Sequence, residues 1–458
     1  MLTYELKKSP GVPLYEALYR CLRQDILNGV IPPGSKLPSK RALSAHLEVS
    51  KITVETAYQE LLAEGYIRAQ EKIGYFVEDV GKPQPPLHCP PPPERPAEQV
   101  PPYLDFTANA SAHFPFSVWN RLQRQVLLDL GEQLLQPMDN RGCAALRQAI
   151  AAHLAAFRGM RVDPDNIIIG AGTDFLSNLL VQLLGRDKVY AVEEPGYGKI
   201  QKIYAAAGAA TSWASLDAFG VRPELLGDAR VLHFSPSHHF PTGLVTSLKR
   251  RHELLAWAEQ ADGYLIEDDY DSEFRFHAHP LPALQSLDRQ GRVIYMNTFS
   301  KSLTPAIRIS YMVLPPQLME TFQKDLGFYS CTVASFQQYT LARFLTDGHF
   351  EKHINRMRKF YRSRRDQVIS ALEHCPWQEK LTVLEENAGL HFLLEVDTAL
   401  PDDAIVALWA RAGIRVLPLS RYYRDHPPAS AARTLVINYS GLESSELFRL
   451  QTLEKLEG

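Results

Sequence analysis

The chain has 458 residues, 45% hydrophobic and 22% charged, with a formal net charge of −3. That length suggests about three domain-sized units with sizeable buried cores, while so small a net charge leaves room for a local basic patch. Five scattered cysteines (Cys21, Cys89, Cys143, Cys331 and Cys375) without a CxxC pair argue against a disulfide framework or a zinc site. No signal-type segment stands out and no apolar run approaches the ~20 residues of a membrane helix, so a cytoplasmic protein is expected.

In chain order, Pro13 to Asn28 repeats apolar residues at helical spacing: Leu14, Leu18, Cys21, Leu22, Ile26. PPGSKLPS then turns the chain, and Ser39 is placed to cap a helix over Arg41–Leu47. After Val49 and Ser50 a second helix, Ile52 to Glu64, carries Val54, Ala57 and Leu61 on one face and stops at Gly65. YIRAQEKIGYFVE reads as two short strands about a turn near Lys72–Gly74. Helix, helix–turn–helix and hairpin in that order describe a winged helix-turn-helix over residues 1–81.

Residues 82–103, KPQPPLHCPPPPERPAEQVPPY, are crowded with proline, which favours extended polyproline II. At about 3.1 Å per residue such a linker spans roughly 70 Å as a semi-rigid spacer; the alternative is a disordered tether without a geometric role. From 104 to 458, apolar runs (NIIIG, KVYAVEEP, RVLHFSPS, GYLIEDD, RVIYMNT, SYMVLP) alternate with helical segments, predicting a mostly parallel sheet covered on both faces. Helices dominate from about 316 to Arg365. GLHFLLEV, IRVLPLS and TLVINYS then mix with helices as a small α+β subdomain.

In the N-terminal part, Lys36, Lys40, Arg41 and Lys51 cluster against a single acid, Glu48, and Ser39, Ser50 and Thr53 add hydroxyls. Such a set suits a helix in the major groove, with some groups on base edges and others on phosphates. The segment PPGSKLPSKRALSAHLEVSKITVETAYQELLAEGYI resembles the GntR family of bacterial regulators. The resemblance implies that Arg41 grips phosphate, that Lys51 and Thr53 read bases, and that Gly74 brings the wing to the minor groove. The expected partner is a double-stranded DNA operator, read by a dimer over two half-sites.

In the C-terminal part the residues suit a phosphorylated pyridine cofactor. Lys301, in VIYMNTFSKSLTPAIR, follows a buried strand, where a lysine is desolvated and nucleophilic. Thr298 and Ser300 precede it, and Arg308 follows as a fork for phosphate. Asp268 ends YLIEDD, where a carboxylate keeps a pyridine nitrogen protonated, and Tyr270 stands two residues on. In IIIGAGTDFLSNLL the N–H groups of Gly172 and Thr173 open a helix and form an anion site. Tyr197, in EEPGYGKI, is placed to stack on a ring. All these loops follow strand C-termini, where open α/β sheets bind ligands.

As an ordered set, these residues resemble fold type I, aspartate aminotransferase-like enzymes. With EDDYDSEF, TFSKSLTPAIR, SHHFPTG and GHFEKHINRMRKFYRSRR, the whole chain resembles the MocR subfamily of GntR regulators. That resemblance implies pyridoxal 5'-phosphate bound covalently to Lys301, with Asp268 at the pyridine nitrogen, Tyr270 at the ring hydroxyl and Tyr197 stacked. Thr173, Ser300 and Arg308 would join the phosphate cradle. A head-to-tail homodimer is implied as well.

Two departures from aminotransferases stand out. Phe240 occupies the place of an asparagine before the PTG triplet; nearby His238 and His239 are partial substitutes or, as expected more often of such histidines, structural residues. Val436 occupies the place of the arginine that clamps a substrate carboxylate, a charge-assisted pair worth ~1.5–3 kcal/mol. Arg421 and Arg424 are candidates to reach an anionic ligand instead, or are plain surface arginines without such a role. The expectation is therefore a regulator without efficient transamination, sensing an amine or amino-acid-like effector or the cofactor itself. The alternative is an active aminotransferase with an accessory DNA-binding head.

Overall fold

The computed structural model describes residues 2–4, 6, 13–81, 103–108, 113–274, 281–384, 389–442 and 444–454. The chain divides into two compact units, Met1–Gln99 and Val100–Gly458. The Pro-rich 82–103 segment lies, apart from Tyr103, outside the described residues. Among the described residues no helix is long and apolar enough to cross a membrane.

The first unit is a winged helix-turn-helix. Helix α1 (Leu14–Leu27) buries Leu18, Leu22 and Ile26, one face at helical spacing. Helices α2 (Lys40–His46) and α3 (Lys51–Ala63) each begin one residue earlier than expected, because their caps are Ser39 and Ser50. Ser39 Oγ accepts the Ala42 N–H at 3.2 Å and Ser50 Oγ the Thr53 N–H at 3.1 Å, satisfying N–H groups that the helix leaves open. Strands β1 (Ile67–Gln70) and β2 (Gly74–Val77) pair antiparallel, Ile67 opposite Val77.

The second unit opens with β3 (Leu104–Asp105) and is built on an eight-stranded sheet. Its strands are β4 (Ile167–Gly170), β5 (Val189–Glu194), β6 (Ala210–Asp217), β7 (Gly220–Val221), β8 (Ala229–Phe234), β9 (Tyr264–Asp268), β10 (Val293–Thr298) and β11 (Ser310–Val313). The spatial order is β4-β11-β10-β9-β8-β5-β6-β7. The five strands from β10 to β6 run parallel, as expected. Strand β11 runs antiparallel to both β10 and β4. The loop from β10 to β11 is too short for a crossover helix, so the chain doubles back.

Alternate residues of the strands face opposite layers. Ile167, Ile169, Tyr295 and Tyr311 join one core, while Ile168, Ile294 and Met312 join another. The second core is closed by the helix Thr173–Leu184, and the first by Ala144–Arg158, Ser335–Thr346 and His349–Leu372. Burial on both faces is why these strands read as continuous apolar runs. The expected strand list missed β6, whose ATSWASLD is only partly buried.

The small subdomain is an antiparallel sheet of β12 (Leu381–Leu384), β13 (His391–Val396), β15 (Leu417–Pro418) and β16 (Thr434–Asn438), ordered β12-β13-β16-β15. IRVLPLS splits: its first part is β14 (Ile414–Arg415), which pairs with β3, and its second is β15.

Candidate functional site

The C-terminal ends of the large sheet's strands surround a cavity of about 330 Å³. Beyond β4, Gly172 precedes the helix Thr173–Leu184 at φ +96° and ψ 163°, a backbone region that essentially only glycine adopts. A Cβ there would lie 2.1 Å from Arg308 Nη2. The Arg308 guanidinium therefore lies against the start of this helix, its Nη2 donating to Ala171 O at 3.4 Å and standing 3.6 Å from Asp174 Oδ2. Helix N–H groups and a guanidinium converging on one spot make an anion cradle. Thr298, at the end of β10, accepts the Ser300 N–H at 3.1 Å and the Ser310 hydroxyl at 2.8 Å. Ser300 Oγ is buried without a hydrogen-bond partner. Thr173, Thr298, Ser300 and Arg308 all line the cavity.

Lys301 lies in the short helix Phe299–Ser302 after β10 and lines the same cavity. Burial lowers its pKa, an effect opposed by the carboxylates of Asp271 and Asp268. Asp268 ends β9, with Oδ2 3.5 Å from His233 Nε2 and Oδ1 buried and unpartnered. His233 Nδ1 is in turn 2.5 Å from the Tyr204 hydroxyl. The Tyr270 hydroxyl is 3.4 Å from His238 Nδ1, and burial beside several carboxylates raises its pKa. Tyr197, 56% exposed, sits just before the helix Gly198–Ala206 at the cavity rim, edge-on to Phe240 at 6.4 Å between centroids.

The cavity thus brings together eight of the nine residues expected around a cofactor, and Gly172 shapes it from behind. Four further candidates fall to their alternative reading, structural histidines and surface arginines. His238 and His239 do not line it: His238 pairs with Asp271 at 2.8 Å, and His239 with Thr242 at 2.7 Å. Arg421 and Arg424 do not line it either; they are exposed and paired with Asp403 at 3.0 Å and Asp425 at 2.9 Å. Two histidines passed over in the sequence, His233 and His391, do line it. The signal available was a histidine set inside an apolar strand run, in RVLHF and GLHFLLEV.

In the first unit, Arg41 and Lys51 are exposed at the starts of α2 and α3. Lys40 departs from the expected basic cluster. Its Nζ pairs with Glu55 at 2.6 Å and lies 5.4 Å from the Tyr75 ring centre, so Glu48 is not the sole acid among these cations. The hydroxyls of Ser39 and Ser50 serve as helix caps, and Thr53 Oγ1 lies 2.8 Å from Ser50 Oγ. Gly74 opens β2 at φ +140°, where a Cβ would meet Lys36 Cε at 3.1 Å. Ile52, passed over in the sequence, is 73% exposed beside Lys51.

Two family descriptions match the chain: bacterial regulatory proteins of the gntR family over residues 14–77, and aminotransferase class I and II over residues 101–447. The chain is 36% identical to the uncharacterized HTH-type transcriptional regulator YdeL of Bacillus subtilis, the match covering 97% of each chain. It is 32% identical to the probable rhizopine catabolism regulatory protein MocR of Rhizobium meliloti, over 96% of this chain and 92% of that one. A kynurenine aminotransferase structure from Pyrococcus horikoshii superposes with a TM-score of 0.66 at 24% identity, covering 77% of this chain and 89% of that one, a likeness of fold alone. The aminotransferase class I and II fold is one that houses pyridoxal phosphate. With a gntR head and an aminotransferase-like body in one chain, and relatives of that build along almost its whole length, the protein belongs to the MocR type of gntR-family transcriptional regulators.

Proposed function

We propose that this regulator holds pyridoxal phosphate at Lys301 and answers to an amine or amino-acid-like effector, or to the cofactor itself, by changing its grip on a double-stranded DNA operator. The observation that carries the reading is the set of unsatisfied groups around Lys301. Asp268 Oδ1 and Ser300 Oγ are buried without partners, and the Gly172–Arg308 approach leaves an anion cradle. Buried polar atoms without partners are costly, so a ligand carrying a pyridine nitrogen and a phosphate fits them.

When bound, pyridoxal phosphate supplies an aldehyde that combines with a primary amine. Lys301 is held below the ordinary lysine pKa, so a larger neutral fraction is available as nucleophile. Asp268 holds a proton at the pyridine nitrogen, and His233 positions Asp268. Gly172 and Thr173 N–H groups, Thr298, Ser300 and Arg308 bind the phosphate, Tyr270 donates to the ring hydroxyl, and Tyr197 covers the ring. On the DNA side, Arg41 grips phosphate, Lys51 and Thr53 reach bases and Gly74 lies in the wing, while Lys40 is paired with Glu55. The chain acts as a homodimer, which matches the symmetry of two half-sites.

A ligand shifts operator affinity only if it binds one arrangement of the protein better than another. Efficient transamination is not part of this reading, since Val436 is an apolar, buried residue of β16. Operator binding by fluorescence anisotropy, with and without pyridoxal phosphate and candidate amines, tests it. Native protein should respond and Lys301→Ala should not. Indifference of native protein to every ligand rejects the sensor, and steady conversion of amino acid to keto acid, lost in Lys301→Ala, would replace it with an enzyme.

A further inference from the structure

The sensing reading leaves open what kind of amine the cavity accepts, and the charges lining it bear on this. Its cations are Lys199, Lys301 and Arg308 among the described residues. Lys199 Nζ is tied to Asp174 at 2.6 Å. Arg308 faces the helix start beyond Gly172, and Lys301 is the reacting lysine of that reading. All three are thus committed before a second ligand arrives. The cavity also holds the carboxyl groups of Glu193, whose pKa burial raises, and Asp271. Glu193 Oε2 accepts the Ser235 N–H at 3.0 Å, while Oε1 is buried without a partner.

The wall from the small subdomain offers no charge to an anion. Asn438 of β16 lines the cavity, and Val436, two residues earlier on the same strand, shares its face. Val436 is 3% exposed and packs with Leu393, Leu419 and Ala431, with Phe240 and Tyr422 against them. His391 lines this wall too, its ring 5.0 Å from that of Phe240. Its Nε2 must donate to the Pro241 carbonyl oxygen at 3.1 Å, and burial next to His238 and Lys301 keeps the ring neutral. A neutral ring bonded that way has an acceptor at Nδ1. A carboxylate brought to this wall would meet apolar side chains and neutral polar groups such as the Asn438 amide and the Ser440 hydroxyl, and would lose its hydration without a cation in exchange.

We infer that the effector is a primary amine without a carboxylate, such as an arylalkylamine or a diamine, and that the wall of Phe240, His391 and Asn438, with the apolar Val436 buried behind Phe240 where a clamping arginine would stand, excludes α-amino acids. This rests on the sensing reading above and narrows it.

The test uses full-length protein loaded with pyridoxal phosphate, titrated with matched pairs: 2-phenylethylamine against L-phenylalanine, and putrescine against L-ornithine. Affinity is read from the absorption of the bound cofactor and, separately, from calorimetric heat. In at least one pair the amine should bind roughly tenfold or more tightly than its amino acid, the loss expected of a carboxylate without a charged partner. L-phenylalanine amide, whose carboxylate is neutralised, should recover most of the difference without any mutation. Val436→Arg should reverse the ranking in favour of the amino acid. Amino acids binding native protein as tightly as the amines, or an amide no better than the acid, would overturn the inference while leaving a ligand-responsive regulator. A coloured, cofactor-loaded protein that binds neither member of either pair overturns the inference too, and continued operator response to pyridoxal phosphate would then leave the cofactor as the signal.

Discussion

Replacing Gly172 by alanine should separate recognition of phosphate from recognition of the ring. The new Cβ would sit 2.1 Å from Arg308 Nη2, so the guanidinium must leave the start of the helix Thr173–Leu184. A charge-assisted hydrogen bond to a phosphate is worth about 1.5–3 kcal/mol. At 1.4 kcal/mol per factor of ten, affinity for pyridoxal phosphate should fall roughly 10- to 150-fold. The backbone at φ +96° adds a cost of about 1–3 kcal/mol to folding, visible as a lower melting temperature of the large unit. The assay is a titration of apoprotein with pyridoxal phosphate and, in parallel, with pyridoxal, which lacks the phosphate. Weakened binding of the first with little change in the second, matched by Arg308→Ala, is the expected result. Equal losses for both ligands, or an unchanged affinity for pyridoxal phosphate, would refute the assignment of this corner as the cradle.

Other outcomes follow from single contacts. Arg41→Ala should weaken operator binding and flatten the dependence of log affinity on log salt by about 0.9, whereas Lys40→Met, whose charge is already paired with Glu55, should change that slope less; equal slopes for the two would show that the Lys40–Glu55 pair opens on DNA. Lys51→Ala should instead relax selectivity among operator sequences, by about 1–3 kcal/mol at the base it reads. Ser50→Ala removes the cap of α3 and should cost the head about 1 kcal/mol in urea denaturation, with Ser50→Asp restoring most of it. Burial raises the pKa of Glu273 from 4.5 to about 8. Its stabilisation is therefore complete below pH 4.5, where folded and unfolded forms are both protonated, and is lost as pH rises towards 8, by at most ~5 kcal/mol. Glu273→Gln should accordingly melt above the native protein at pH 8.5 and level with it near pH 5; a difference independent of pH would place the carboxyl in its ionised form throughout.

Local interactions were legible without coordinates. Ser39 acts within three residues of itself, so its capping role follows from position, whereas Ser50, read only as a turn residue and a hydroxyl, proves to cap α3 in the same way. Strands such as β4 and β10, buried on both faces, left apolar runs in the sequence, while the half-exposed β6 and the edge strand β12, with its alternating burial, did not. The residues expected around a cofactor were legible because they lie at or just beyond strand ends, and a sheet with parallel central strands gathers those ends on one side, around one cavity.

Composition, spacing and capping residues were sufficient to determine a winged head, an α/β body and the order of the groups around Lys301. Tertiary structure alone decided which histidines face the cavity, that Lys40 is committed to Glu55, that Arg421 and Arg424 are held by exposed carboxylates, and that Val436 is sealed under Phe240 and Tyr422. The reason is that these are pairings between residues far apart in the chain, or outcomes of competition among several possible partners. Hydrogen bonds and ion pairs depend on separations of a few ångströms, which local sequence periodicity does not encode.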